Sequence, residues 1–254
     1  MIVGVVGLGA MGRPIAEHLA AAGFDVLGQD PQAAAAGVRM VGSVADADLV
    51  FVVVPTDADV TEVVTGLLAD PHSGQTIAIS SSVNPQTCRT LAARAADVGI
   101  DVIDVALTGG IRGAETGTLN LLVGGDPAVI ERYWDAFAAI AKGWHVLGPV
   151  GAGQVGKAAS NLIHWAQITA ILESFRLAEA YGVAPKALRA ALMDGGTDSR
   201  TLRELEQMRF TWYAKDIDTA QDMAAEVGAE LPIAAMSRRL MPAITPDTIH
   251  ALFT

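Results

Sequence analysis

Residues 1–20 read MIVGVVGLGAMGRPIAEHLA, and they decide the fold. Ile2 to Val6 is a short apolar run that suits a buried strand, and the residues from about Gly12 to Ala22 form an amphipathic helix pattern. Between them Gly7-Leu8-Gly9-Ala10-Met11-Gly12 fits G-x-G-x-x-G. In a chain with 26 glycines the spacing alone is weak. Its setting, directly after a strand and opening a helix, gives it meaning. Gly7 takes the tight turn, Gly9 lets backbone approach a pyrophosphate, and Gly12 lets helix pack on strand. Leu8, Ala10 and Met11 contribute backbone amides at a helix start that favours negative charge. A Gly-rich turn without a ligand is the bland alternative.

Outward from this unit, the pattern repeats. Phe24–Gly28, Leu49–Val54, Thr76–Ser80 and Val102–Ala106 read as strands, with helices at Asp57–Ala69 and Pro85–Val98 between them. LVFVVV (49–54) is the clearest, being apolar and mostly β-branched, as a strand covered on both faces should be. Leu119–Gly124, a helix over Ala128–Ile140 and a strand at Trp144–Leu147 complete the first half. This alternation predicts an α/β Rossmann domain, a doubly wound, mainly parallel sheet. Gly148-Pro149-Val150-Gly151 breaks the pattern, after which only helical periodicity remains: Gln154–Tyr181, Pro185–Met193, Thr201–Gln207 and Ile217–Val227. The expected division is therefore a nucleotide-binding domain over 1–149 and an all-helical C-terminal domain over 150–254 for substrate and dimerisation. A long, largely apolar helix leading such a domain predicts a homodimer.

Composition narrows the function. Over 254 residues the formal charge is −11, so binding to nucleic acid or to a membrane surface is not expected. The single cysteine excludes an intramolecular disulfide. No apolar run approaches bilayer-spanning length, and no basic leader follows Met1. A cytoplasmic protein without a metal is the expectation.

Asp30 closes the second strand, 23 residues after Gly7. A carboxylate there accepts hydrogen bonds from ribose hydroxyls and repels a 2′-phosphate, which favours NAD over NADP. No Lys or Arg follows until Arg39. A turn cap is the alternative. Thr108-Gly109-Gly110 ends a strand whose carboxyl end faces the ligand crevice. A hydroxyl and two unobstructed amides suit a substrate carboxylate or hydroxyl, although a plain tight turn reads the same way. Arg112 is either a partner for a further carboxylate or a solvated loop residue. In GAGQVGKAASN (151–161), Lys157 and Asn161 are four residues apart on one helix face. A lysine desolvated beside a nicotinamide falls from about 10.4 toward working pH and exchanges a proton with a hydroxyl. On spacing alone, an exposed helix lysine remains open.

Together, GLGAMGRPIAEHL (7–19), DVALTGGIRGAETGTLNLLVGG (104–125), GAGQVGKAASN (151–161) and KDIDTA (215–220) resemble the β-hydroxyacid dehydrogenase family over nearly the whole length. The family includes 3-hydroxyisobutyrate dehydrogenases and tartronate semialdehyde reductases. The resemblance implies a Rossmann domain with a 6-phosphogluconate dehydrogenase-like helical domain, and hydride exchange between NAD and a small 3-hydroxy acid. It implies that Lys157 is the essential lysine, Asn161 its substrate-side companion and Thr108-Gly109-Gly110 the anchoring loop. It puts Pro55 and Ser82 beside the nicotinamide ribose and Lys215 near the cofactor. Thr108 stands where the family usually has Ser, and Ala106 where it has Pro. The stretch from Asn161 to Lys215 is shorter than usual. His164 and Trp165 either line a roomier pocket or sit in the helix core. The alternatives are an imine reductase on the same scaffold, which generally lacks the lysine, and a non-catalytic NAD-binding module, which needs none of Thr108, Lys157 and Asn161.

Overall fold

The structure, a computed structural model, describes residues 1–253. It divides into two compact units, Met1–Lys157 and a second starting at Ala158. In the first, the strands are β1 (Ile2–Val6), β2 (Asp25–Gln29), β3 (Arg39–Met40), β4 (Leu49–Val52), β5 (Thr76–Ile79), β6 (Asp101–Thr108), β7 (Leu119–Gly124) and β8 (Ala141–Gly148). They form one sheet in the order β3-β2-β1-β4-β5-β6-β7-β8. Every pairing is parallel except β6 with β7. Only ten residues separate Thr108 from Leu119. That is too short for a crossover, so the chain must return antiparallel.

Alternation along the strands feeds two cores. Val3, Val5, Leu49, Phe51, Ala78, Ile103 and Val105 pack on one face with Ile15, Ala16 and Leu19 of α1 (Gly12–Ala21) and with Ala136, Phe137 and Ile140 of α6 (Trp134–Ile140). Val6, Val50, Val52, Ile77 and Ile79 pack on the other face with Val60 and Val64 of α2 (Asp57–Ala69) and Leu91 and Ala95 of α3 (Pro85–Ala96). Both faces are covered, as near-continuous apolar strands require. Each fully buried Val, Leu, Ile or Phe among them contributes about 1.5–3 kcal/mol.

Register sets the site. Val6 pairs with Gln29 and Val52, Val52 with Ile79, and Ile79 with Asp104, which puts five strands on one level. The residues that follow at this carboxyl edge are Gly7, Asp30, Val53 and Ser80, while β6 continues through Val105 to Thr108.

Several local expectations need correction. The helix expected over 128–140 is two, α5 (Pro127–Glu131) and α6, broken at Arg132–Tyr133. There the chain turns so that the Tyr133 ring enters the core while its hydroxyl donates to Thr76 Oγ1 at 2.8 Å. The strand expected to reach Val54 stops at Val52, and the last one extends to Ala141–Gly148. β3 and α4 (Gly110–Glu115) have no apolar run to announce them. α7 (Ala152–Ala180) carries the chain from the first unit into the second.

The second unit has helices and no strand among its described residues. It continues with α8 (Pro185–Met193), α9 (Arg200–Arg203), α10 (Tyr213–Glu226), α11 (Pro232–Leu240) and α12 (Pro246–His250). Trp165, Ile168, Leu172 and Phe175 of α7, spaced at three and four, meet Ile217, Ala234 and Ile249 in its core. No described helix is long and apolar enough to cross a membrane.

A Cβ at Gly12 would overlap the Gly7 carbonyl. Backbone there cannot yield cheaply, so Gly12→Ala is expected to lower stability by about 1–3 kcal/mol. Denaturant unfolding checks it; an unchanged midpoint contradicts the packing described.

Candidate functional site

The Gly-rich turn has the shape of a phosphate cradle. Gly7 has a φ of +89°, in the left-handed region, and a Cβ on it would meet the Val53 carbonyl. A Cβ on Gly9 would meet no heavy atom within 4 Å, so its face of the turn is open. Packing therefore consumes the first and third glycines, while the second stays clear at the start of the ten-residue α1. The residues fit a dinucleotide pyrophosphate.

Asp30 lies against this turn. Its Oδ2 accepts from the Leu8 amide at 2.7 Å, and its Oδ1 from the amides of Gln32 at 2.8 Å and Ala33 at 2.9 Å. Partial burial works to raise its pKa, but the three amides prevail and hold it below the usual carboxylate value. Asp30 is thus a turn cap as well as a candidate ribose acceptor, since Oδ2 keeps a further lone pair while Oδ1 has used both of its own.

At the neighbouring strand ends, Ser81 joins β4 to β5. Its hydroxyl donates to the Val52 carbonyl at 3.2 Å and accepts from the Val54 amide at 2.8 Å. Pro55 follows Val54 and is exposed; Ser82 follows Ser81 and is half-buried. Thr108 ends β6 with its hydroxyl engaged. It donates to the Asn120 carbonyl at 2.8 Å and accepts from Asn120 Nδ2 at 3.1 Å. Gly109 and Gly110 follow in left-handed conformations, at φ +112° and +67°. Arg112 is exposed on α4.

The start of α7 is the most tightly bound part of this edge. Asp104, fully buried on β6, accepts from the Gly151 amide at 2.6 Å and the Gln154 amide at 2.8 Å. Burial pushes its carboxyl pKa up, and the amides of Gly151, Gln154 and Gly153 offset part of that. Gln154, also buried, accepts from the Val83 amide through Oε1 at 3.2 Å and donates through Nε2 to the Ser81 carbonyl at 2.9 Å. Lys157 stands three residues further along α7 and is half-buried.

In the second unit, Asn161 lies one turn beyond Lys157 on α7, half-buried. Lys215 is half-buried near the start of α10, and its neighbour Asp216 accepts from Trp165 Nε1 at 3.1 Å. Trp165 belongs to the core rather than to a pocket wall, and His164 Nδ1 lies 3.0 Å from Thr201 Oγ1.

Gly7–Gly12, Asp30, Pro55, Ser82 and Thr108 thus lie at the carboxyl ends of β1, β2, β4, β5 and β6. Sequence reasoning missed Asp104, Gln154, Ser81 and Asn120. A carboxylate within the apolar run of β6 was the available signal, since a buried charge demands partners.

Residues 2–151 match the family described as the NAD binding domain of 6-phosphogluconate dehydrogenase. Residues 151–250 match NAD-binding of NADP-dependent 3-hydroxyisobutyrate dehydrogenase. The chain is 32% identical to 2-hydroxy-3-oxopropionate reductase of Escherichia coli over 94% of its own length and 90% of that protein. It is likewise 32% identical to the NAD-dependent L-serine dehydrogenase of Pseudomonas aeruginosa, over 73% of its length and 67% of that protein. A Mycobacterium tuberculosis 3-hydroxyisobutyrate dehydrogenase, in a structure described with L-serine, superposes with a TM-score of 0.88 at 27% identity, covering 100% of this chain and 99% of the other. The chain belongs to the β-hydroxyacid dehydrogenase family, as its four motifs implied.

Asp104→Ala leaves buried Gly151 and Gln154 amides without their acceptor and is expected to cost about 1–3 kcal/mol for each. Urea unfolding measures it; a variant as stable as wild type contradicts the cap. Asp30, with its folded pKa depressed, contributes stability that is present above its unfolded value and lost as pH falls through the folded one. The stability gap between wild type and Asp30→Asn should therefore be full at pH 6 and shrink below about pH 4. A gap independent of pH would show that the three amides gain nothing from the charge.

Proposed function

We propose that the protein exchanges hydride between NAD and a small 3-hydroxy acid, oxidising it to the semialdehyde or keto form or running the reverse, with Lys157 as the proton carrier. One observation carries this reading. The first turn of α7, one turn before Lys157, is hydrogen-bonded to the same sheet edge that carries the open Gly9 turn and Ser82.

NAD, when bound, supplies the nicotinamide that accepts or returns the hydride. The chain's own residues do the rest. In the turn, the amides of Gly7 and Leu8 are bound to Gln29 and Asp30, so Gly9, Ala10, Met11 and Gly12 face the pyrophosphate, and Asp30 accepts from the ribose hydroxyls while disfavouring a 2′-phosphate. Pro55 and Ser82 hold the nicotinamide side, and Lys215 serves the cofactor from α10. Gly109, Gly110, Thr108 and Asn161 fix the substrate. Lys157 Nζ takes the hydroxyl proton during oxidation and gives it back during reduction.

The names of the relatives support small hydroxy acids as the substrate class. A homodimer belongs to the same reading, and α7 presents Ile163 and Leu177 outside its core. The lone buried thiol of Cys88 suits a reducing, cytoplasmic setting.

Formation of NADH at 340 nm on a panel that includes 3-hydroxyisobutyrate and L-serine tests this. Lys157→Ala is expected to lose roughly 10²–10⁴-fold in kcat with NAD affinity retained. Turnover at the wild-type rate would defeat the mechanism, and a wild-type enzyme inert on every hydroxy acid would defeat the substrate class. Asp30→Ala should weaken NAD binding and relax discrimination against NADP. Unaltered NAD affinity in that variant would refute the cofactor assignment.

A further inference from the structure

We infer that Gln154 is a positioning residue that registers Lys157 against the nicotinamide side of the site by clamping both flanks of Ser82 to the first turn of α7. The inference rests on the roles proposed above for Lys157 and Ser82.

Gln154 is 2% exposed, and its side chain is spent on two backbone groups that bracket one residue. Oε1 accepts from Val83 N and Nε2 donates to Ser81 O. Only one orientation of the amide satisfies both, because turning it over would set donor against donor and acceptor against acceptor. Its own backbone amide meanwhile donates to Asp104 at 2.8 Å.

Ser81 is held in turn by Val52 and Val54 through its hydroxyl. A continuous run of hydrogen bonds therefore links the end of β4, the end of β5, the Ser82 segment and α7. Gln154 and Lys157 are three residues apart, so they share a helix face, and a shift of one moves the other. Apolar packing alone could hold α7 on the sheet, but it is non-directional. Burying a long polar side chain costs rotamer freedom, and the paired bonds supply the direction that packing cannot. Around this turn the charged or titratable groups are Asp104 on β6, Cys88 and Arg89 on α3, Asp57 on α2 and Lys157 itself.

Two variants test this. Gln154→Leu keeps bulk but orphans Val83 N and Ser81 O. It should lower kcat roughly ten- to a hundredfold at saturating NAD and hydroxy acid, the loss expected for a small misplacement of reacting groups. NAD affinity, read by fluorescence titration, should change little. In the protein without cofactor, the Val83 amide should exchange hydrogen faster than in wild type.

Gln154→Glu gives a sharper signature. When ionised it accepts from Val83 but repels the Ser81 carbonyl; when protonated it restores both bonds. Burial raises the pKa of such a carboxyl, so the ratio of variant to wild-type kcat should rise as pH falls from 8 toward 5.

A Gln154→Leu enzyme with lower melting temperature but wild-type kcat would overturn the inference, as would a Glu ratio flat across pH. If Gln154→Leu does not fold, the Glu ratio decides alone. Loss of activity in Lys157→Ala alongside wild-type kcat in Gln154→Leu refutes the positioning role only; full activity in Lys157→Ala refutes the proposed mechanism beneath it.

Discussion

A buried carboxylate sets the geometry on which the site depends. Asp104 sits inside an apolar strand, where desolvation penalises its charge, and the amides at the head of α7 compensate. The exchange works both ways. The helix needs an acceptor for amides that have no partner within it, and the carboxylate needs donors that water cannot supply. Glycines make the approach possible: a Cβ at Gly124 or at Gly153 would run into the Asp104 carboxylate. Because β6 is paired in register with β5, fixing α7 on Asp104 also fixes it against Ser81–Val83.

From that constraint the rest of the edge follows. Parallel pairing levels the ends of β1, β2, β4 and β5, with β6 running on from Asp104 to Thr108, so turns far apart in sequence converge without any long-range design of their own. Gly7 and Gly12 use their missing side chains for packing, while Gly9 leaves its space open. The same edge thus combines a rigid scaffold, an anion-receptive helix start and a lysine whose helix is anchored a turn earlier. Such preorganisation is what hydride and proton transfer require, since a small misplacement of reacting groups is costly.

Much of this was legible in residues 1–161, because buried parallel strands and glycine turns leave strong local patterns. LVFVVV and the Gly7–Gly12 turn announce themselves. Features set by pairing across the sheet were not legible. Whether Thr108 faces a ligand or Asn120 depends on the antiparallel register of β6 and β7, which no local pattern encodes. Gln154 looks like an ordinary polar residue on a helix until the ends of β5 and β6 are brought to it. The break at Tyr133 reflects a hydroxyl reaching Thr76, a partner 57 residues away. In the helical unit, α11 and α12 went unread although their local signals are present: α11 is amphipathic with Pro232 in its first turn, and α12 opens on a Thr245 cap followed by Pro246. The boundary between the units lies within α7, at Lys157, where an unbroken helix conceals any composition shift.

The proposed proton carrier is the Lys157 amine. Chemical rescue tests it most directly: Lys157→Ala assayed with added small primary amines of graded pKa. NADH formation should rise with free-amine concentration and increase with amine basicity, since an amine in the vacated space resumes the transfer. A rate indifferent to amine concentration and basicity, in a variant that still binds NAD, would contradict it.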